Sequence, residues 1–77
     1  MNAAEAQDAK HLLQHDDQYR ALAEQHHQLD DLIHQLTDRH YLSPTEQLEE
    51  VTLKKRKLAL KDRMEAIARE YALNRSS

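Results

Sequence analysis

No glycine occurs anywhere in this chain, and proline occurs once. Without glycine, every reversal of direction has to be made by residues that avoid positive φ. That argues against tight two-residue hairpins, and with them a sheet-rich fold. It also excludes a glycine loop that cradles phosphate. Helix is what remains, with its ends set by caps and by the proline. The proline stands in Ser43-Pro44-Thr45-Glu46. Serine at the cap, proline at the first helical position and glutamate three residues after the cap make a capping box. Pro44 also biases Ser43 away from the helical region, so a helix does not run straight through it. The competing reading is a proline kink inside one long helix. Cap and proline coincide as a helix start requires, so the box predicts a turn followed by a second helix.

The apolar pattern agrees on both sides of that turn. Before it, His15, Tyr19, Leu22, His26, Leu29, Ile33, Leu36 and His40 recur at alternating steps of four and three. That spacing is the seam of a coiled coil. Leu12 and Leu32 widen it. After the turn, Leu53, Lys57, Leu60, Met64, Ile67 and Tyr71 fall on one narrow helical stripe, in which Lys57 is the only charge. Folding the chain at Ser43 sets Ile33 against Leu53, Leu29 against Lys57 and His26 against Leu60. It goes on to set Leu22 against Met64, Tyr19 against Ile67 and His15 against Tyr71. Near the turn the mirror weakens, because Leu36 faces Glu50. The charges follow the same division. Residues 1–42 carry 3 basic and 8 acidic side chains, and residues 43–77 carry 8 basic and 6 acidic ones. Asp16 to Arg20 and Glu50 to Lys54 are helical i, i+4 pairs.

The predicted fold is therefore all-α: two long helices in an antiparallel coiled-coil hairpin. Helix 1 is predicted over about 11–40, the turn over 41–43 and helix 2 over 44–73. Residues 1–10 read as a frayed or loosely helical N-terminal segment, and 74–77 as a tail with Asn74 as the C-terminal cap. In Lys57 the stem is expected to run along the seam by Leu29 while the ammonium reaches Asp30.

Two stretches carry a family pattern. Tyr19, Leu22, His26, Leu29, Asp30 and Ile33 fit an aromatic-x-x-Leu run followed by His-x-x-Leu-Asp-x-x-Ile. The block from Leu53 to Met64, LKKRKLALKDRM, fits the second half. Together they resemble the YdcH-like family of small bacterial proteins over roughly residues 19–68. Tyr19 stands where phenylalanine is expected, and Arg63 where an acidic residue is common. The resemblance implies a helical hairpin and brings no established activity with it.

A chain of 77 residues with no cysteine, tryptophan or phenylalanine has little to bury and no disulfide to brace it. Self-association is the remaining way to cover apolar surface. Leu48, Val51 and Leu58 lie on the side of the second helix away from its seam, and Leu13 lies off the first seam. Leu48, Val51 and Leu58 are the expected oligomer face. The expected assembly is a homodimer of hairpins in a four-helix arrangement.

The chemistry-bearing residues point to no reaction. Asp16 and Asp17, like Asp30 and Asp31, are neighbours on a helix and point about 100° apart, so they do not converge as a catalytic dyad. No serine, cysteine or lysine stands in a nucleophile setting. An enzyme, a cofactor and a small-molecule substrate are not expected. His11 and His15 have the spacing of two ligands on a metal-binding helix, but no third ligand accompanies them, and no metal is expected. His26 and His40 read as polar seam positions. The run Lys54, Lys55, Arg56, Lys57, with Lys61 beyond it, is the alternative feature: a basic stretch for a nucleic-acid backbone. Its members point to different sides, no aromatic is interleaved, and the chain's net charge is −3. No apolar run reaches membrane-spanning length, and the first ten residues lack the pattern of a secretory signal. The sequence thus reads as a cytoplasmic, non-enzymatic protein–protein interaction or oligomerisation module. Its partners are expected to be itself and an unidentified protein.

Overall fold

A computed structural model of the protein describes residues 3–39 and 41–76. Three helices are packed together: α1 (Ala3–His15), α2 (Asp17–Thr37) and α3 (Pro44–Ser76). No strand and no positive-φ residue occurs among the described residues. His40, assigned to the seam from its spacing, lies outside them.

α3 opens at Pro44 through the capping box. The Ser43 hydroxyl accepts from the amide of Glu46 at 3.2 Å, and the Glu46 carboxylate accepts from the amide of Ser43 at 3.1 Å. Two of the orphan amides at a helix start are thereby satisfied. Arg39, from the other side of the turn, closes an ion pair with Glu46. α2 stops at Thr37, short of the expected 40. The Thr37 hydroxyl donates to the carbonyl of Ile33 at 2.9 Å, and the amide of Asp38 donates to that of His34 at 3.0 Å. With no glycine to take a left-handed cap, the chain leaves the helix early, at Thr37, and α3 begins at Pro44. At the other end α3 runs past Asn74 to Ser76, so neither the cap at Asn74 nor the tail from 74 is observed.

Behind the turn, Ile33, Leu36 and Leu53 form a buried cluster with Leu29 and Leu42 packed on it. Leu42 shields Leu36, which the mirror pattern had set against Glu50. On the α2 side of the turn, partners on α3 step in the opposite direction along the sequence, Arg39 with Glu46 and Asp30 with Lys57, while α1 brings His11 to Tyr71 and Asp8 to Arg75.

The largest departure from expectation is in the first third. The first helix does not run unbroken from 11. It breaks at Asp16, whose backbone is extended (φ −113°, ψ 112°). The Asp16 carboxylate accepts from the amide of Tyr19 at 2.7 Å and caps α2. Arg20 pairs with Asp17 rather than Asp16, and its guanidinium also reaches the carbonyls of Leu13 and Gln14 at 3.4 Å, at the end of α1. Residues 3–10, expected to be frayed or loosely helical, are helical, with Asp8 and Ala9 half-buried and the others exposed. Glu5, Asp8 and Ala9 share a cleft with Tyr19 of α2 and with Ala68 and Ala72 of α3. In a straight helix Glu5 and Tyr19 would lie ~21 Å apart, so α1 folds back at Asp16. It lies over Tyr19, which is buried, as are Leu12 and Leu22, and burial pushes the Tyr19 phenol above its ordinary pKa. His15 is left exposed, and His11 takes the place against Tyr71 at 5.2 Å between ring centroids.

The result is a rod, 51 × 23 × 16 Å, with a radius of gyration of 15.4 Å. A compact chain of this length would have ~11.5 Å. No side chain among the described residues is fully enclosed.

Each cap gives an expected outcome. Ser43→Ala removes the acceptor for Glu46 and should cost about 1 kcal/mol, or ~4–8 °C in Tm at fixed protein concentration. Asp16→Ala should cost a similar amount and act locally. Amide exchange should quicken at the break and in the first turn of α2, around the Tyr19 amide, and stay unchanged in the middle of α3. Exchange that quickens equally everywhere would contradict a local cap at Asp16.

Candidate functional site

The seam residues Tyr19, Leu22, His26, Leu29 and Ile33 of α2 are buried or half-buried. So are Leu53, Lys57, Leu60, Met64, Ile67 and Tyr71 of α3. Among them Leu29, Ile33 and Leu53 pack in one cluster with Leu36. Lys57 is the one cation among them. Its ammonium donates to the carboxylate of Asp30 across the seam, with each side chain about one-third exposed. That hydrogen bond, with smaller help from the charges of Lys57, His34 and His26, holds the Asp30 carboxyl below its usual range. Glu46 is held low in the same direction, first by the Ser43 amide, then by the Ser43 hydroxyl and Arg39.

The histidines are distributed along acidic neighbours. His27 stands 3.5 Å from Asp31, and His34 stands 3.9 Å from Asp30. Asp30 and Asp31 therefore turn to different partners. His11 and His15 lie with ring centroids 4.5 Å apart. No group of three metal-ligating side chains gathers among the described residues.

The basic stretch does not converge on one surface. Lys54 is tied to Glu50 at 2.8 Å and Lys57 to Asp30. Arg56 lies away from both, on another flank of α3. Lys55 and Lys61 are exposed. Two of the five cations are thus partly neutralised inside the chain, which weakens any continuous field for a phosphate backbone.

Two apolar surfaces face solvent. The first is the back of α3, where Leu48 is 70% exposed, Val51 49% and Leu58 58%. Leu73, also exposed, returns to the same side of the helix. Spacing had not singled it out, because it lies beyond the other three by several turns. The second surface is a groove of about 400 Å³ along one flank of the α2–α3 seam. Gln25, Gln28, Leu29 and Leu32 line it from α2, and Arg56, Ala59, Leu60 and Arg63 from α3. Leu32, expected to widen the seam, lines this groove and stays open to solvent. Only the packed pair of helices brings Leu32 next to Arg56 and Arg63. No helix among the described residues is long and apolar enough to cross a membrane.

The Asp30–Lys57 pair has a pH signature. A carboxyl held below its unfolded value adds stability that is present above the unfolded pKa and is lost as pH falls through the folded one. In Lys57→Met the Asp30 carboxyl should titrate closer to the ordinary carboxylate value, followed by carboxyl-carbon NMR. The stability difference between the two proteins should shrink as pH drops below the carboxylate range. An Asp30 that titrates alike in both would contradict the pairing.

Comparison with curated proteins and with solved structures gives no match. A family model described as "Protein of unknown function (DUF465)" matches residues 20–68. That span takes in most of α2, the turn, and α3 through Ala68, including the Leu53–Met64 block and the capping box. It leaves out α1, whose fold-back at Asp16 lies before the matched span. The YdcH-like proteins, whose pattern the two stretches resemble, fall within the same family. The chain belongs to the DUF465 family of small proteins of unknown function.

Proposed function

We propose that this chain is a non-enzymatic interaction module: an antiparallel coiled-coil hairpin that pairs with a second copy in a four-helix arrangement, in the bacterial cytoplasm. The observation that carries this reading is the exposure of Leu48, Val51 and Leu58 on the back of α3. α3 carries these apolar side chains, among Lys55, Asp62 and Arg69, on the side opposite its seam, and the hairpin covers only the seam. The opposed stepping of Arg39–Glu46 and Asp30–Lys57 supports the hairpin. The lack of any fully enclosed side chain among the described residues supports assembly, because the lone chain has a thin core. Leu73 extends the strip toward the C-terminal end of α3. Each leucine-sized side chain fully withdrawn from water contributes about 1.5–3 kcal/mol. A two-fold pairing puts each strip against its own copy, the commonest closed symmetry. The ties of Lys54 to Glu50 and Lys57 to Asp30 make backbone-phosphate binding through 54–61 the weaker reading.

Wild-type protein should sediment as a dimer at micromolar concentration. Leu58→Lys sets a charge in the middle of the strip and should give a monomer, while circular dichroism keeps a helical spectrum. A monomeric wild type would refute the reading. A Leu58→Lys variant that stays dimeric would refute this face as the contact.

A further inference from the structure

The flank groove offers a different surface from the strip on the back of α3. Its floor is Leu29 and Leu32 from α2 with Ala59 and Leu60 from α3, and its rim carries Arg56 and Arg63. The charge on this rim runs against that of the whole chain. The protein carries a net charge of −3, yet no carboxylate lines this groove. Neither guanidinium has a carboxylate partner among the described residues. Arg56 and Arg63 are seven residues apart, so they stand ~10.5 Å apart along α3, two turns on one side. Between them Ala59 leaves room where a longer side chain would close the groove.

We propose that this groove docks an acidic amphipathic helix of a partner protein. Its apolar edge would lie on Leu29, Leu32 and Leu60, and two carboxylates seven residues apart would meet Arg56 and Arg63. The mode is helix-in-groove recognition. Charge pairs that flank an apolar seam at heptad spacing set partner choice and orientation in the same way. Arginine suits the task because its planar fork meets a carboxylate with two parallel hydrogen bonds. The charges select and steer the partner, and the apolar floor holds it. The rim lies about a third of a turn around α3 from the Leu58 strip, so docking and self-pairing use separate surfaces and either can fail alone.

The test uses the full chain and a fluorescein-labelled helical peptide with leucines on one edge and two glutamates seven residues apart. A second peptide has lysine in place of both glutamates. Anisotropy should report saturable binding of the acidic peptide, weakening as salt screens the rim. The double variant Arg56→Glu with Arg63→Glu should lose about tenfold or more in affinity for the acidic peptide and gain binding to the lysine peptide. That exchange of preference separates recognition from misfolding. Ala59→Phe fills the groove and should abolish binding with both arginines in place. No saturable binding by the wild type overturns the proposal, as does equal affinity for both peptides. It is also overturned if the double variant changes the sedimenting mass, because the groove would then be a contact between copies.

Discussion

Ile33, Leu36 and Leu53 meet just behind a turn that contains no glycine, and the register of α2 on α3 follows from that meeting. The capping box holds Ser43 and Glu46 in place, and Arg39 ties the far side of the turn to the same carboxylate. Leu42 then closes over Leu36. With the turn and the first cluster set, a heptad pattern on each side places Asp30 opposite Lys57 without further instruction. One-residue slips would rotate apolar positions out of the seam, so the register is steeply preferred.

A seam of this kind is long and thin. The rod is 51 Å in its longest dimension and 16 Å in its shortest, so most side chains have water on at least one side. Long solvated helices tolerate 32% charged residues for that reason. The same geometry leaves apolar side chains that an ordinary globule would cover. Leu48, Val51, Leu58 and Leu73 face out from the back of α3, and Leu32 faces out at the groove. Isolated exposed leucines are normal on protein surfaces. The four on α3 share one side of it with Lys55, Asp62 and Arg69.

Electrostatics here adjusts the fold more than it builds it. The Asp30–Lys57 pair is partly solvated, and pairs of that kind contribute modestly. Its value lies in letting a lysine occupy a seam position, with the stem packed and the charge answered. Arg20 does comparable work at the α1–α2 break, where its guanidinium answers both Asp17 and the carbonyls at the end of α1.

The sequence by itself determined the features that depend on local stereochemistry and period. The lack of glycine, the Ser43-Pro44-Thr45-Glu46 box and the two stripes are enough to place the start of α3 at Pro44 and to pick out Ile33, Leu53 and Lys57 as inward-facing. These follow from bond geometry and helical repeat, which a chain carries wherever it goes. Tertiary structure decided the rest. Asp16 is compatible with a helix interior or with a cap, and period alone does not choose between them. The choice falls to the cap because folding α1 back lays it over Tyr19 and against Tyr71, a gain available only once α2 and α3 are side by side. The flank groove has the same origin. A linear reading puts Leu32 on the flank of one stripe, Arg56 in the basic run and Arg63 at a departure from the family pattern, and they become neighbours only because two helices with separate periods are packed at one register.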